Sequence, residues 1–215
     1  MIRLLSIGID CISSIIFVVP AVLILWYTIF RKRNLNEMIA GLIFAFYLIA
    51  VFSVVGIPTV GTFKVNFSFN LIPLIDIVNS PLEYIKNTVL NIILFMPLGF
   101  LVPAIWKKYR SIKTMFFMGF ALSVCIEVLQ IFTFRLTDID DLITNTAGTV
   151  LGYYICKRFS FQLPFKLADT KEDSIQYEPF IILAVMFLIG VFLKPIVSNG
   201  MWDIVLSSSW WENIR

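Results

Sequence analysis

NTVLNIILFMPLGFLVPAIW, residues 87–106, runs for twenty positions without an acid or a base. A helix of about 20 such residues crosses the hydrocarbon core of a bilayer. Five further apolar blocks flank it, at about 8–30, 38–56, 114–133, 141–157 and 179–197. The whole chain agrees with this reading. Its 59% hydrophobic against 14% charged residues and its mean hydropathy of +0.90 lie far outside the range of soluble domains. The expected fold class is therefore all-α, a polytopic transmembrane helical bundle of about six spans. It falls to five if a weak block, such as the short and polar 141–157, does not cross. The expected location is the cell membrane, multi-pass, with the lipid bilayer as first partner.

The first block is too long for a signal-peptide core, and Arg31, Lys32 and Arg33 follow it where a cleavage site would need small residues. It is expected to stay as an anchor. Loops near the spans on the cytoplasmic side retain Lys and Arg. The segments after the first, third and fifth blocks hold eleven of the 17 basic residues, among them Arg31–Arg33, Lys107, Lys108, Arg110 and Lys157. That bias places both termini outside. It also accounts for the net charge of +3, so nothing in the charge calls for nucleic acid.

Histidine is absent, which excludes Ser-His-Asp and Cys-His catalysis and any histidine-ligated metal. Cys11, Cys125 and Cys156 stand far apart without a C-x-x-C spacing, against a disulfide or a metal site. No phosphate-cradling loop, dinucleotide fingerprint or inverted repeat is present. No cofactor and no metal are expected, and chemistry would fall to carboxylates, amides or a lysine.

Against this background EVLQIFTFRLTDIDDLITNTAGTVLG, residues 127–152, is anomalous, because Glu127, Arg135, Asp138, Asp140 and Asp141 crowd into fifteen positions. Glu127 and Gln130 share a helix face near the outer end of the fourth span; Thr144 and Asn145 open the fifth; Asn87 and Asn91 stand one turn apart near the outer end of the third. Asn91, Glu127, Gln130, Arg135, Asp138, Asp141 and Asn145 thus share one depth in the outer leaflet. A charge within hydrocarbon costs about 2.5 to 3.5 kcal/mol. Glu127, roughly 9 Å below its helix end, must therefore face protein or water. Arg135 is its natural partner, with Asp138 and Asp141 competing for the same guanidinium. The excess of acid should hold a proton or draw a cation.

Each feature has a plainer alternative. The Glu127–Arg135 pair could staple two spans. Asp141 could simply cap the fifth helix, and Asn91 could bond the fourth span across the bundle. Pro97 and Gly99 suggest a kink in the third span. Gly148 and Gly152 have the spacing that lets helix backbones approach, with span four or span three as partner. Trp106, Trp202, Trp210 and Trp211 read as interfacial belts. Residues 57–86 form an outer loop, an interfacial or re-entrant lid over the cluster. The cytoplasmic face shows no chemistry.

The series NLIPLIDI (70–77), NIILFMPLGFLVP (91–103), EVLQ (127–130) and RLTDIDDLITNTAGTVLG (135–152) resembles the VanZ-like family of bacterial membrane proteins. The family pattern falls on Asn91, Phe95, Pro97, Gly99, Glu127, Gln130, Arg135, Asp138, Asp141, Asn145 and Gly148. Phe134 replaces the Gly common before the Arg. The match covers about 70–157, and so divides the chain into an N-terminal two-helix segment (1–60), a VanZ-like core with the outer loop and three spans (61–158), and a cytoplasmic link, last span and tail (159–215). The resemblance implies a link to resistance against teicoplanin, a glycopeptide antibiotic with a lipid tail. It names two partners that meet the membrane at its outer leaflet, a lipoglycopeptide and the lipid-linked cell-envelope precursor. Two functions stay open. In one, the polar cluster binds an amphiphile without chemistry, through Asn91, Glu127, Gln130, Arg135, Asp138, Asp141 and Asn145. In the other, an enzyme modifies or hydrolyses a lipid-linked envelope molecule, with catalytic candidates Glu127, Arg135, Asp138 and Asp141.

Overall fold

The computed structural model describes residues 2–29, 35–65, 67, 69–70, 72–133, 137–159 and 177–207. Helices dominate, because a backbone in lipid must satisfy its hydrogen bonds within each segment. They are α1 (Ile2–Thr28), α2 (Leu35–Val55), the short α3 (Ile75–Asn79), α4 (Pro81–Ile105), α5 (Ile112–Gln130), α6 (Ile139–Phe159), α7 (Glu178–Leu188) and α8 (Lys194–Leu206). A π-helical turn, Ile189–Leu193, joins α7 to α8 into one rod. The only strands among the described residues are β1 (Phe69–Asn70) and β2 (Thr137–Asp138), a two-residue parallel pair.

Five helices are long and apolar enough to cross a membrane: α1, α2, α4, α5 and the α7–α8 rod. Helix α6 has the same 21 residues as α2 but is too polar to pass that test alone. Its neighbours explain how it lies beside them. Along α4 it runs parallel: a Cβ on Gly148 would meet the Ile92 carbonyl, one on Gly152 the Met96 carbonyl, and one on Gly99 the Thr149 carbonyl. Along α5 it runs antiparallel, with Gly119 against the Thr149 side chain and Ser123 against Asn145. Its polar residues therefore face protein, the arrangement that makes them tolerable at membrane depth. Of the two partners expected for Gly148 and Gly152, α4 is the one, and Gly99 shares the seam. Pro97 lies within an unbroken α4.

Three helix boundaries differ from expectation. α1 begins at Ile2, so Asp10 lies inside it, paired with Lys194 of α8 at 3.1 Å. α4 begins six residues before 87, because Pro81 suits a first helical turn and Glu83 meets the positive end of the dipole. The last span runs on to Leu206, and Val191 in its π turn accepts the Val60 N–H at 3.0 Å, tying the chain after α2 to the rod.

The end of the bundle at the α4–α5 connection is sealed. Trp106 is not part of an interfacial belt: it is 1% exposed, stacks edge-on against Phe44 at 5.2 Å and donates its indole N–H to Glu178 at 2.7 Å. Arg110 folds back, its Nε donating to the Pro103 carbonyl, and the Tyr153 hydroxyl donates to the Arg110 carbonyl. Burial, helped by Tyr177, pushes the Tyr109 phenol above its ordinary value. Trp202 is half-buried; Trp210 and Trp211 lie outside the described residues.

Candidate functional site

At the other end, the start of α6 is held from three sides by carboxylates. Because α6 begins at Ile139, Asp138 takes the capping position, its Oδ1 accepting the Asp140 N–H at 2.9 Å. Asp141, expected as the cap, lies in the first turn instead and accepts from Asn91 Nδ2 at 2.6 Å. Asn91 thus bonds α6 rather than the fourth span, and also reaches Thr144 at 3.4 Å. Asp140 accepts the Leu74 N–H at 2.9 Å, and Leu74 holds a left-handed φ of 64°. Asp138 Oδ2 accepts from Asn70 at 3.4 Å. The expected lid is therefore fastened to the acids, through β1 and Leu74.

Behind these groups lies a buried polar layer between α5 and α6. Glu127 accepts the Asp138 N–H at 2.9 Å, so it supports the backbone that presents Asp138. Its main-chain carbonyl accepts from the Thr137 hydroxyl at 3.2 Å. Asn145 donates to Ser123 at 3.0 Å. Glu127 and Gln130 are each 6% exposed and Asn145 4%. The Gln130 Oε1 and Asn145 Oδ1 positions have no hydrogen-bond partner among the described residues. Arg135, and with it the Glu127–Arg135 pair, lies outside the described residues.

Between α4 and α6 opens a cavity of about 220 Å³. One wall is Ser80, just before α4, and the face of α4 that repeats every three and four residues, Glu83, Tyr84, Asn87 and Thr88; the other is Asp138, Asp140, Asp141 and Thr144. Such walls accept hydrogen bonds and attract cations. No group of three or more His, Cys, Asp or Glu among the described residues is set to hold a metal.

Of the expected residues, Asp138 and Asp141 line the cavity and Asn91 is bonded to its wall. Glu127, Gln130 and Asn145 stand behind it, joined to it through backbone and helix packing. The sequence counts Asp140 in the charged stretch without choosing it as a site residue, and nothing in that reading singles out Glu83. Glu83 was findable, since 83, 87 and 91 form one helix face once α4 starts at Pro81. Asp140 had no signal that set it apart from its neighbours.

A model of the family described as VanZ/LLP1 matches residues 17–161. That range extends well upstream of residue 70, where the motif resemblance begins, to take in α2 and part of α1. It ends before α7. No curated protein and no solved structure matches.

Proposed function

The chain belongs to the VanZ/LLP1 family, and from that premise we propose that this membrane protein receives an amphiphile in its acid-lined cavity at the outer face of the cell membrane. The protein thereby lowers susceptibility to teicoplanin-like lipoglycopeptides. The observation that carries the reading is the cavity itself, about 220 Å³ with Glu83, Asp138, Asp140 and Asp141 on its walls. Carboxylates of this kind suit the amines, amide N–H groups and sugar hydroxyls of a glycopeptide. The basic residues at the other end of α4, Lys107 and Lys108 among them, support an outward cavity, since such residues are retained near spans on the cytoplasmic side.

A second reading is an enzyme acting on a lipid-linked envelope molecule. It draws on Asp138 and Asp141 at the cavity wall, where a general base would stand. Glu127 is less suited to that role, since it is occupied by a backbone N–H.

The test is expression in a susceptible Gram-positive host, with teicoplanin and vancomycin compared. The tail-directed reading expects protection against teicoplanin and little against vancomycin; equal protection would remove the tail from the account. Envelope lipids and peptidoglycan are compared in the same cells, and a new or missing species would favour the enzyme. Orientation is checked with single cysteines at Glu83 and Lys108, after removal of the native three. Labelling of Lys108 alone from outside would turn the cavity to the cytoplasm.

A further inference from the structure

Between α2 and α4, apolar side chains stand out from the protein on the same end as the cavity. Phe67 is 74% exposed, Ile72 62%, Val78 84% and Leu82 83%. An exposed row of this kind is out of place in water. Ile85, Val89 and Ile93 of α4 are exposed as well, along a candidate span.

The length of α4 fixes the depth of that row. Its 25 residues extend about 37 Å, against a hydrocarbon core of about 30 Å. Lys107 and Lys108, exposed just past its far end, hold that end at the interface, so the surplus lies at Pro81. The first one or two turns of α4 then sit among headgroups. There the helix has two faces: Glu83, Tyr84 and Asn87 line the cavity, while Leu82, Ile85 and Val89 point away and are exposed. Lys86, exposed, stands just past the segment, where an ammonium group reaches lipid phosphates.

We infer that the described residues between 60 and 82 form a half-inserted arm, with Phe67, Ile72, Val78 and Leu82 at the boundary between headgroups and lipid chains, so that the cavity opens sideways into the leaflet and its ligand arrives from within the membrane. The partner of the arm is the bilayer. The arm keeps its place because two wall carboxylates hold it, Asp138 through Asn70 and Asp140 through Leu74. An amphiphile can leave its tail in lipid beside the arm and turn its polar head to the acids. This last step rests on the proposed ligand site; the insertion of the arm does not.

Single cysteines at Val78, Leu82, Glu83 and Asn87, in a chain without Cys11, Cys125 and Cys156, are spin-labelled and reconstituted in vesicles of phosphatidylethanolamine and phosphatidylglycerol. Collision with oxygen is then compared with collision with a water-soluble nickel chelate. All four positions are exposed, so the labels displace no core. The expected ratio of oxygen to nickel accessibility is at least threefold higher at Val78 and Leu82 than at Glu83 and Asn87. Equal ratios at the four sites, or nickel access dominating at Val78, would overturn the arm. Lipid-exposed labels in a protein that gives no teicoplanin protection would keep the arm and remove the ligand. Water-exposed labels in a protective protein would do the opposite.

Discussion

Glu127 and Glu178 are two glutamates buried to the same degree, 6% and 5% exposed, at opposite ends of one bundle. Each accepts a hydrogen bond, and there the likeness stops. Glu178 takes the indole N–H of Trp106, whose ring is packed on Phe44; beyond it lies more core. Glu127 takes the N–H of Asp138, and beyond it lies a cavity walled by acids. Burial of a charged group therefore does not separate a staple from a site. The next layer does, aromatic at the sealed end and open at the other, and the two ends should respond differently to substitution.

The largest effect is expected at the sealed end. Trp106→Ala removes a fully buried ring and the indole donor to Glu178, and should destabilise the protein by about 3–5 kcal/mol. Thermal melting in detergent and the amount in the membrane would both fall. Trp106→Phe keeps most of the volume and loses only the donor, for about 1–3 kcal/mol. If Trp106→Ala melted like the parent, the sealed end would not be a core and the comparison would collapse.

Next comes the seam that joins the ends. The Cβ of Gly152→Ala would enter the Met96 carbonyl, backbone that cannot step aside as a side chain could, and overpacking of this kind costs about 1–3 kcal/mol. Both melting temperature and protection should drop together. Gly200, with open space around it inside α8, supplies the control, and Gly200→Ala should leave protection unchanged and raise the melting temperature slightly, if at all. A loss of protection in Gly152→Ala without a fall in melting temperature would tie the seam to the site instead.

Spans were legible in the sequence because the bilayer imposes one length and one polarity on every crossing helix. The glycine seam was legible because close approach needs small residues at a fixed spacing. The depth shared by Asn91, Glu127, Asp138 and Asp141 followed from the same arithmetic. What it missed are partners set by the packing of distant segments. Trp106 has the composition and position of an interfacial anchor, and only Glu178, 72 residues on, makes it a core residue. The cap passed from Asp141 to Asp138 because α6 starts two residues early, a boundary that neighbouring acids cannot mark. Glu127 accepts the Asp138 backbone amide, a partner invisible to any count of charges, while its expected partner Arg135 lies outside the described residues.

At the open end the changes in stability should be smaller and the changes in function larger. Glu127→Gln retains an oxygen that can accept the Asp138 N–H while removing the charge, and a neutral bond is worth about 0.5–1.5 kcal/mol where a charged one reaches about 1.5–3. A loss near 1 kcal/mol with protection reduced is expected, since Asp138 would be presented from a softer support. Glu178→Gln makes the same chemical change at the sealed end and should leave protection untouched at matched protein levels. Equal loss of protection in the two variants would mean that the ends are not separable.

The smallest effect on stability, and the sharpest on function, belongs to Asp141→Asn. Asp141 is half-buried at the cavity wall, and its bond from Asn91 can be kept by the amide oxygen, so the expected cost is under about 1 kcal/mol and close to the resolution of a melting curve. What the substitution removes is one of four carboxylates facing the cavity. If the cavity holds the cationic and hydroxyl-bearing head of an amphiphile, protection against teicoplanin should fall several-fold while membrane levels stay at the parent's. Asn91→Ala is the companion, because it leaves the charge and removes the donor that aims it. Loss in both variants would assign the effect to an oriented carboxylate. Loss in Asn91→Ala alone would assign it to helix packing. If both stayed fully protective, the cavity would have no part in resistance and the open end would be as structural as the sealed one.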